Sequence, residues 1–172
     1  YDVSGFKGKG GYFYTGNYST TEIQALGLLS QMKRLPQILA KRKKAAQYLN
    51  KRFNKVDGIL IPPGDDKHIK STYHLYLLQI EPDKVGGDIQ ILKKKLAARG
   101  VVQIPHYAPL YKFSVMKQLG YDTAAIEKTC PVAEEAFQHR FTHLPLYDFT
   151  KEQLGYLADA VVESVEEMKR GT

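Results

Sequence analysis

Residues 15–22, TGNYSTTE, set small hydroxyl and amide side chains directly ahead of a helical pattern. The unbonded N–H groups of a helix start converge there, and the helix dipole adds positive potential. A phosphate or similar anion would be held well at such a point. The same residues also read as plain helix capping, which needs only Ser19 and Glu22. Residues 104–111, IPHYAPLY, place an imidazole and phenols around two prolines, directly after a strand-like run. Pro105 and Pro109 would stiffen this loop, leaving His106 and Tyr107 to hydrogen-bond a polar ligand or stack on a ring. A histidine satisfied within its own loop is the competing reading, and these residues alone leave both open. His139 and His143 stand four apart, a spacing that ligates a metal when one helix carries both. Here RFTHLPL leaves the helix between them and no carboxylate completes a His-Glu-x-x-His pattern, so no metal site is expected. The glycine-rich start GFKGKGG lacks the Gly-Lys-Ser/Thr ending of a phosphate-binding loop. Cys130 precedes Pro131 in a helix lead-in, and no Gly-x-Ser-x-Gly elbow occurs, so nucleophile chemistry finds no support.

The elements that must position these residues follow from periodicity. Residues 1–18, rich in Gly and Tyr, read as loop. Ser19 and Glu22 have capping-box spacing, and an apolar pattern from Ile23 to Leu35 predicts a helix that Pro36 should end or kink. A second helical stretch carries Ile38, Leu39, Ala45, Ala46, Leu49 and Phe53 on one stripe. Tyr73–Ile80 has strand length and composition. Gly86-Gly87-Asp88 predicts a helix start, running to Arg99 and stopping at Gly100. Val101–Ile104 reads as another strand, closed by Pro105. Short helices are expected at Ser114–Leu119 and from Pro131 to Phe141, with a strand at Thr142–Leu146. Thr150 and Gln153 repeat the capping-box spacing and open a last helix to about Met168. This alternation predicts an α/β or α+β domain, with helices packed on one short sheet.

Composition agrees. The 172 residues suffice for one ordinary domain, and 43% hydrophobic with 25% charged residues is a folded balance, not a disordered one. A net charge of +7 raises the question of a polyanionic partner. The basic clusters at Lys33–Arg34, Lys41–Lys44, Lys51–Arg52 and Lys93–Lys95 lie in helical segments, however, and read as solvated helix faces. No nucleic-acid-binding motif accompanies them. One cysteine excludes an internal disulfide and fits reducing, cytoplasmic conditions. No apolar run is long enough to cross a bilayer.

Taken in order, GNYSTTEIQALGLLSQMKRL (16–35), ILAKRKKAAQYLNKRF (38–53), TYHLYLLQI (72–80), LAARGVVQIPHYAPLY (96–111), LGYD (119–122), PVAEEA (131–136) and LPLYDFTKEQLGYLADAV (144–161) resemble the DegT/DnrJ/EryC1/StrS family of sugar aminotransferases. The resemblance covers nearly the whole chain. It implies the C-terminal domain of the fold-type I aminotransferase fold, with a short, mostly antiparallel sheet under helices. It divides the chain into a loop over 1–18, a long kinked helix pair over 19–56 that makes interdomain and dimer contacts, and a small α/β domain over 57–172. It implies pyridoxal 5′-phosphate (PLP) as cofactor, a homodimer, and transfer of an amino group from glutamate or glutamine to a keto sugar, nucleotide-linked in many relatives. By resemblance Asn17 reaches the PLP phosphate of the partner subunit, and His106, Tyr107 and Tyr111 line the sugar pocket. This chain departs from the family at Ser19, where Arg is usual after Asn-Tyr, and at Tyr111, where His is usual.

The lysine that bonds to PLP lies some tens of residues before the Asn-Tyr motif in that family. Lys7 and Lys9 are too close to the motif to be its equivalent, so no catalytic residue is assigned. A chain opening at Tyr1 is therefore expected to be a portion of the enzyme and inactive alone. Members that dehydrate sugars, with histidine in place of that lysine, are the alternative within the family. A non-catalytic module binding an anion or a partner is the alternative outside it.

Overall fold

A computed structural model describes residues 19–171. The chain forms two compact units, Tyr1–Pro36 and Gln37–Thr172. Their boundary falls inside the 19–56 segment.

In the first unit the described residues are the approach to helix α1 (Glu22–Phe53) and its opening turns. The capping residue is Thr21, not Ser19. The Gln24 N–H donates to Thr21 Oγ1 at 3.3 Å, and the Thr21 N–H donates to Gln24 Oε1 at 2.9 Å. The box is complete but stands two residues later than expected, because STTE offers three hydroxyls and Thr21 is the one with an amide three residues on. Pro36 does not end the helix, which runs unbroken through it. Proline strips the Met32 carbonyl of its helical donor. Met32 is exposed, so water can replace that bond.

The second unit is built on a three-stranded antiparallel sheet of order β1-β2-β3, formed by Ile59–Leu60, Tyr76–Ile80 and Phe141–Leu144. Ile59 pairs with Ile80, and Tyr76 with Leu144 through Gln79 with Phe141. Alternation sends Tyr76, Leu78 and Ile80 inward, and the register adds Thr142 and Leu144 to that face. Leu49 and Phe53 of α1, Leu92 and Leu96 of α3 (Ile89–Ala98), and Leu157, Val161 and Val165 of α7 (Lys151–Arg170) join the same core. The Tyr76 hydroxyl, carried deep by its ring, donates to Asn50 Oδ1 at 2.6 Å, so its burial leaves no orphan.

The helix starts at Asp88 and Thr150 match their spacing. Asp88 accepts from the Gln90 and Ile91 N–H groups, and Thr150 with Gln153 forms a full capping box. Val101–Ile104 is not a strand; only Ile104 bridges, to His143. The Gln103 amide donates to the Val101 and Lys93 carbonyls, so side-chain bonds hold this run where ladder bonds were expected. The helix opening at Pro131 is shorter than expected: α6 (Pro131–Glu135) passes into a π-helical turn, Ala136–Arg140, and β3 begins at Phe141. Between α3 and β3 lie a 3₁₀ turn, Leu110–Lys112, then α4 (Ser114–Gln118) and α5 (Thr123–Lys128). Together with α2 (Pro82–Val85), β1 and α5 were not evident from periodicity.

Candidate functional site

The loop from Ile104 to Tyr111 is tied to the sheet at its start. The Ile104 N–H donates to the His143 carbonyl at 2.9 Å, which sets His106 beside the outer face of β3. There its ring meets Phe141 edge-on at 5.2 Å and His143 at 5.9 Å. Phe141 and His143 share that face because they are two apart on a strand. A cavity of about 300 Å³ opens alongside, lined among others by Lys93, Gln103, His106, Phe137, Phe141 and His143. Burial pushes the His143 imidazole below its ordinary pKa, and the neighbouring His106 and His74 act in the same direction. Burial likewise lowers Lys93. The wall thus offers imidazoles and one ammonium against aromatic faces, a donor-rich surface suited to a polar ligand with acceptor oxygens.

Tyr107 is 83% exposed and rests near Phe113, at 6.4 Å between ring centroids. Tyr111 behaves differently from its neighbours. It is buried, and its hydroxyl donates to Glu134 Oε1 at 2.6 Å. That hydrogen bond and burial push its phenol up to about 12. The Lys112 ammonium first, and the Tyr111 hydroxyl second, hold Glu134 down at about 2. Asn17 lies outside the described residues.

His139 and His143 do not share an element. His139 sits on the π-helical turn near Asp88, and His143 on β3. Among the described residues no group of three or more His, Cys, Asp or Glu could hold a metal ion. The basic helix faces are partly neutralised: Lys41 pairs with Asp148, Lys43 with Asp65, and Arg52 with Asp159. No helix of the described residues is long and apolar enough to cross a membrane. Phe141, His143 and Lys93, which line the cavity, were not placed beside the His106 loop from the sequence. The period-two pattern of FTHL could have paired Phe141 with His143, but nothing local ties Glu134 to Tyr111 across 23 positions.

A larger hollow of about 610 Å³ lies between α7 and the Gly100–Val102 turn, faced by Val101, Pro145, Tyr147, Phe149, Tyr156 and Leu157. It offers few polar groups and no convergent donors, so it is the poorer place for chemistry.

The short antiparallel sheet covered by helices is an α/β arrangement whose structural neighbours are fold-type I PLP aminotransferases. The sequence pattern of the DegT/DnrJ/EryC1/StrS aminotransferase family matches residues 4–165, and the chain belongs to that family. It is 32% identical over 135 residues to an uncharacterized protein of Methanocaldococcus jannaschii, covering 76% of this chain and 32% of that one. It is 28% identical over 154 residues to the UDP-4-amino-4,6-dideoxy-N-acetyl-beta-L-altrosamine transaminase of Helicobacter pylori, covering 89% of this chain and 39% of the relative. Among solved structures it is similar to Spr1654 of Streptococcus pneumoniae, assigned as a sugar aminotransferase and solved in PLP and PMP forms. The TM-score to the PMP form is 0.72 at 25% identity, over 87% of this chain and 36% of that one. The chain thus spans about a third of the length of the curated relatives it matches.

Proposed function

We propose that this chain is the C-terminal part of a PLP-dependent aminotransferase that moves an amino group from glutamate or glutamine to a keto sugar, nucleotide-linked, within a homodimer. The family match over residues 4–165 carries the reading. The donor-rich wall formed by His106, His143 and Lys93 supports it, because a keto sugar presents many acceptor oxygens. The protein so completed is assigned to the cytoplasm.

The residues present fit PLP at the start of α1. The N-terminus of the 32-residue helix α1 carries the positive end of its dipole, a suitable seat for a phosphate. Bound PLP supplies the electron sink for amino-group transfer. Asn17 would hold the phosphate of the partner subunit's cofactor. His106 would fix a sugar hydroxyl or carbonyl by hydrogen bonding, its ring oriented by Phe141 and His143. Tyr107 would close over the sugar from the exposed side of the loop. Tyr111, a sugar-pocket residue by resemblance, is not among the residues lining the cavity, and its hydroxyl is already donated to Glu134. The lysine that bonds to PLP is assigned to sequence outside these 172 residues, a reading supported by the one-third span of the relatives. These residues alone should therefore have no transaminase activity.

The test is to express the full-length protein, add PLP, reduce with borohydride and map the mass. A PLP adduct on a lysine outside this segment is expected. PLP binding without an adduct would move the assignment to the dehydrating branch of the family. Absence of PLP binding would leave a non-catalytic module as the better account.

A further inference from the structure

We propose that Glu134 is a positioning residue for the loop that carries His106 and Tyr107, clamping its far end through Tyr111 and Lys112. This rests on the reading of that loop as the sugar-facing wall. One end of the loop is fixed by the Ile104 bridge to β3. The other end enters the 3₁₀ turn Leu110–Lys112, where a single carboxylate gathers the contacts. Glu134 Oε1 accepts from the Tyr111 hydroxyl at 2.6 Å, and its Oε2 accepts from Lys112 Nζ at 2.5 Å and Gln138 Nε2 at 2.6 Å. Glu127 of α5 reaches the same ammonium at 3.4 Å.

Two features separate this cluster from ordinary fold support. Helix α6, which carries Glu134, contributes no buried residue, so the carboxylate is not there to build the core. Tyr111, in contrast, is the one buried residue of the 3₁₀ turn, and its hydroxyl needs an acceptor once it leaves water. Removing Glu134 orphans that hydroxyl and leaves Lys112 only the longer contact to Glu127, and the turn relieves the orphaned hydroxyl by moving outward. Tyr111 is four residues from Tyr107 and five from His106. A shift at the turn therefore displaces the ligand-facing side chains while the sheet and the α3–α7 packing stay in place.

The experiment uses the full-length protein with PLP and compares the parent with Glu134→Ala, Glu134→Gln and Tyr111→Phe. Circular dichroism first verifies that each variant is folded. Amide hydrogen exchange over residues 105–112 and the KM and kcat for the keto sugar are then measured. Glu134→Ala should speed exchange about tenfold and raise KM about fivefold, with kcat within about twofold of the parent. Glu134→Gln keeps an acceptor for Tyr111 and should recover most of both losses. Tyr111→Phe should raise KM, and adding it to Glu134→Ala should cost little more, because the two act as one contact. Unchanged exchange in Glu134→Ala overturns the clamp. Faster exchange with an unchanged KM overturns the positioning role, since the loop would then be held without meeting substrate. A parent that forms no PLP adduct and turns over no sugar sinks the aminotransferase reading itself, a failure visible before any variant is made. The exchange data then still decide whether Glu134 holds the loop.

Discussion

His143 shows how one buried side chain ties the candidate site to stability. Its exposure is 6%, and burial, with His106 and His74 close by, keeps the imidazole neutral below its ordinary pKa of 6.5. The unfolded chain binds a proton there more readily than the folded one does. Its contribution is therefore complete above about pH 6.5 and is lost as pH falls through the lower folded value. Melting temperature should drop between about pH 7 and about pH 5, and the drop should shrink in His143→Leu, which fills the site without titrating. Parallel pH curves for the parent and the variant would assign the acid sensitivity to other groups. His143 also marks the limit of residue-level reading. The sequence shows it four residues after His139, where a metal pair is the natural thought, while its actual partner His106 lies 37 positions back. Strand pairing brings them together, and no local spacing carries that information. The flanking prolines singled out the loop of His106 and Tyr107, but not the contacts of the His106 ring with Phe141 and His143.

At the level of elements, local chemistry governs the boundaries. Asp88, Asp122 and Thr150 cap the helices that follow them, and Gly86, Gly100, Gly120 and Gly171 take positive φ where helices end. The starts at Asp88 and Thr150 and the stop at Gly100 were readable because a cap is a contact between near neighbours, whereas the short helices ending at Gly86 and starting after Asp122 were not. Val101–Ile104 was misread because β-branched residues state only a preference, and the Gln103 side chain satisfies the Val101 carbonyl that a neighbouring strand would have used. Strand β1, two residues long, has no periodicity to detect. Two of the glycines separate backbone strain from crowding. At Gly100 (φ +71°) an added Cβ meets nothing within 4 Å, whereas at Gly86 (φ +75°) it would lie 2.8 Å from the Met168 carbonyl oxygen. Gly100→Ala should thus cost about 1 kcal/mol, the left-handed penalty alone. Gly86→Ala should cost about 2–4 kcal/mol, since α2 must also be pushed off α7. Urea unfolding of both variants measures the gap, and equal losses would show that the α2–α7 contact yields without strain.

On the scale of the whole molecule, the opening turns of α1 are apolar in a way that one core does not explain. Ile23, Leu26, Leu28, Leu29, Met32 and Leu35 are all exposed in the described chain. At about 100° per residue they spread round much of the helix circumference instead of forming one stripe. A helix apolar on so many sides is stable in water only when other surfaces cover it. The aminotransferase reading supplies such surfaces, because residues 19–56 are there assigned to interdomain and dimer contacts. Leu28 and Met32 stand one turn apart on the same side, so a pair of charges placed there would fall inside any interface on that side. Full-length protein carrying Leu28→Glu with Met32→Glu should shift from dimer toward monomer in sedimentation velocity, with the dissociation constant raised about a hundredfold or more. Bound PLP should fall in parallel if Asn17, upstream of this helix in the sequence, has its proposed role toward the cofactor of the partner subunit. A variant that stays dimeric and keeps its PLP would remove this face from the subunit contact. A variant that becomes monomeric but keeps its PLP would instead show that the phosphate seat is complete within one chain, and would withdraw Asn17 from it.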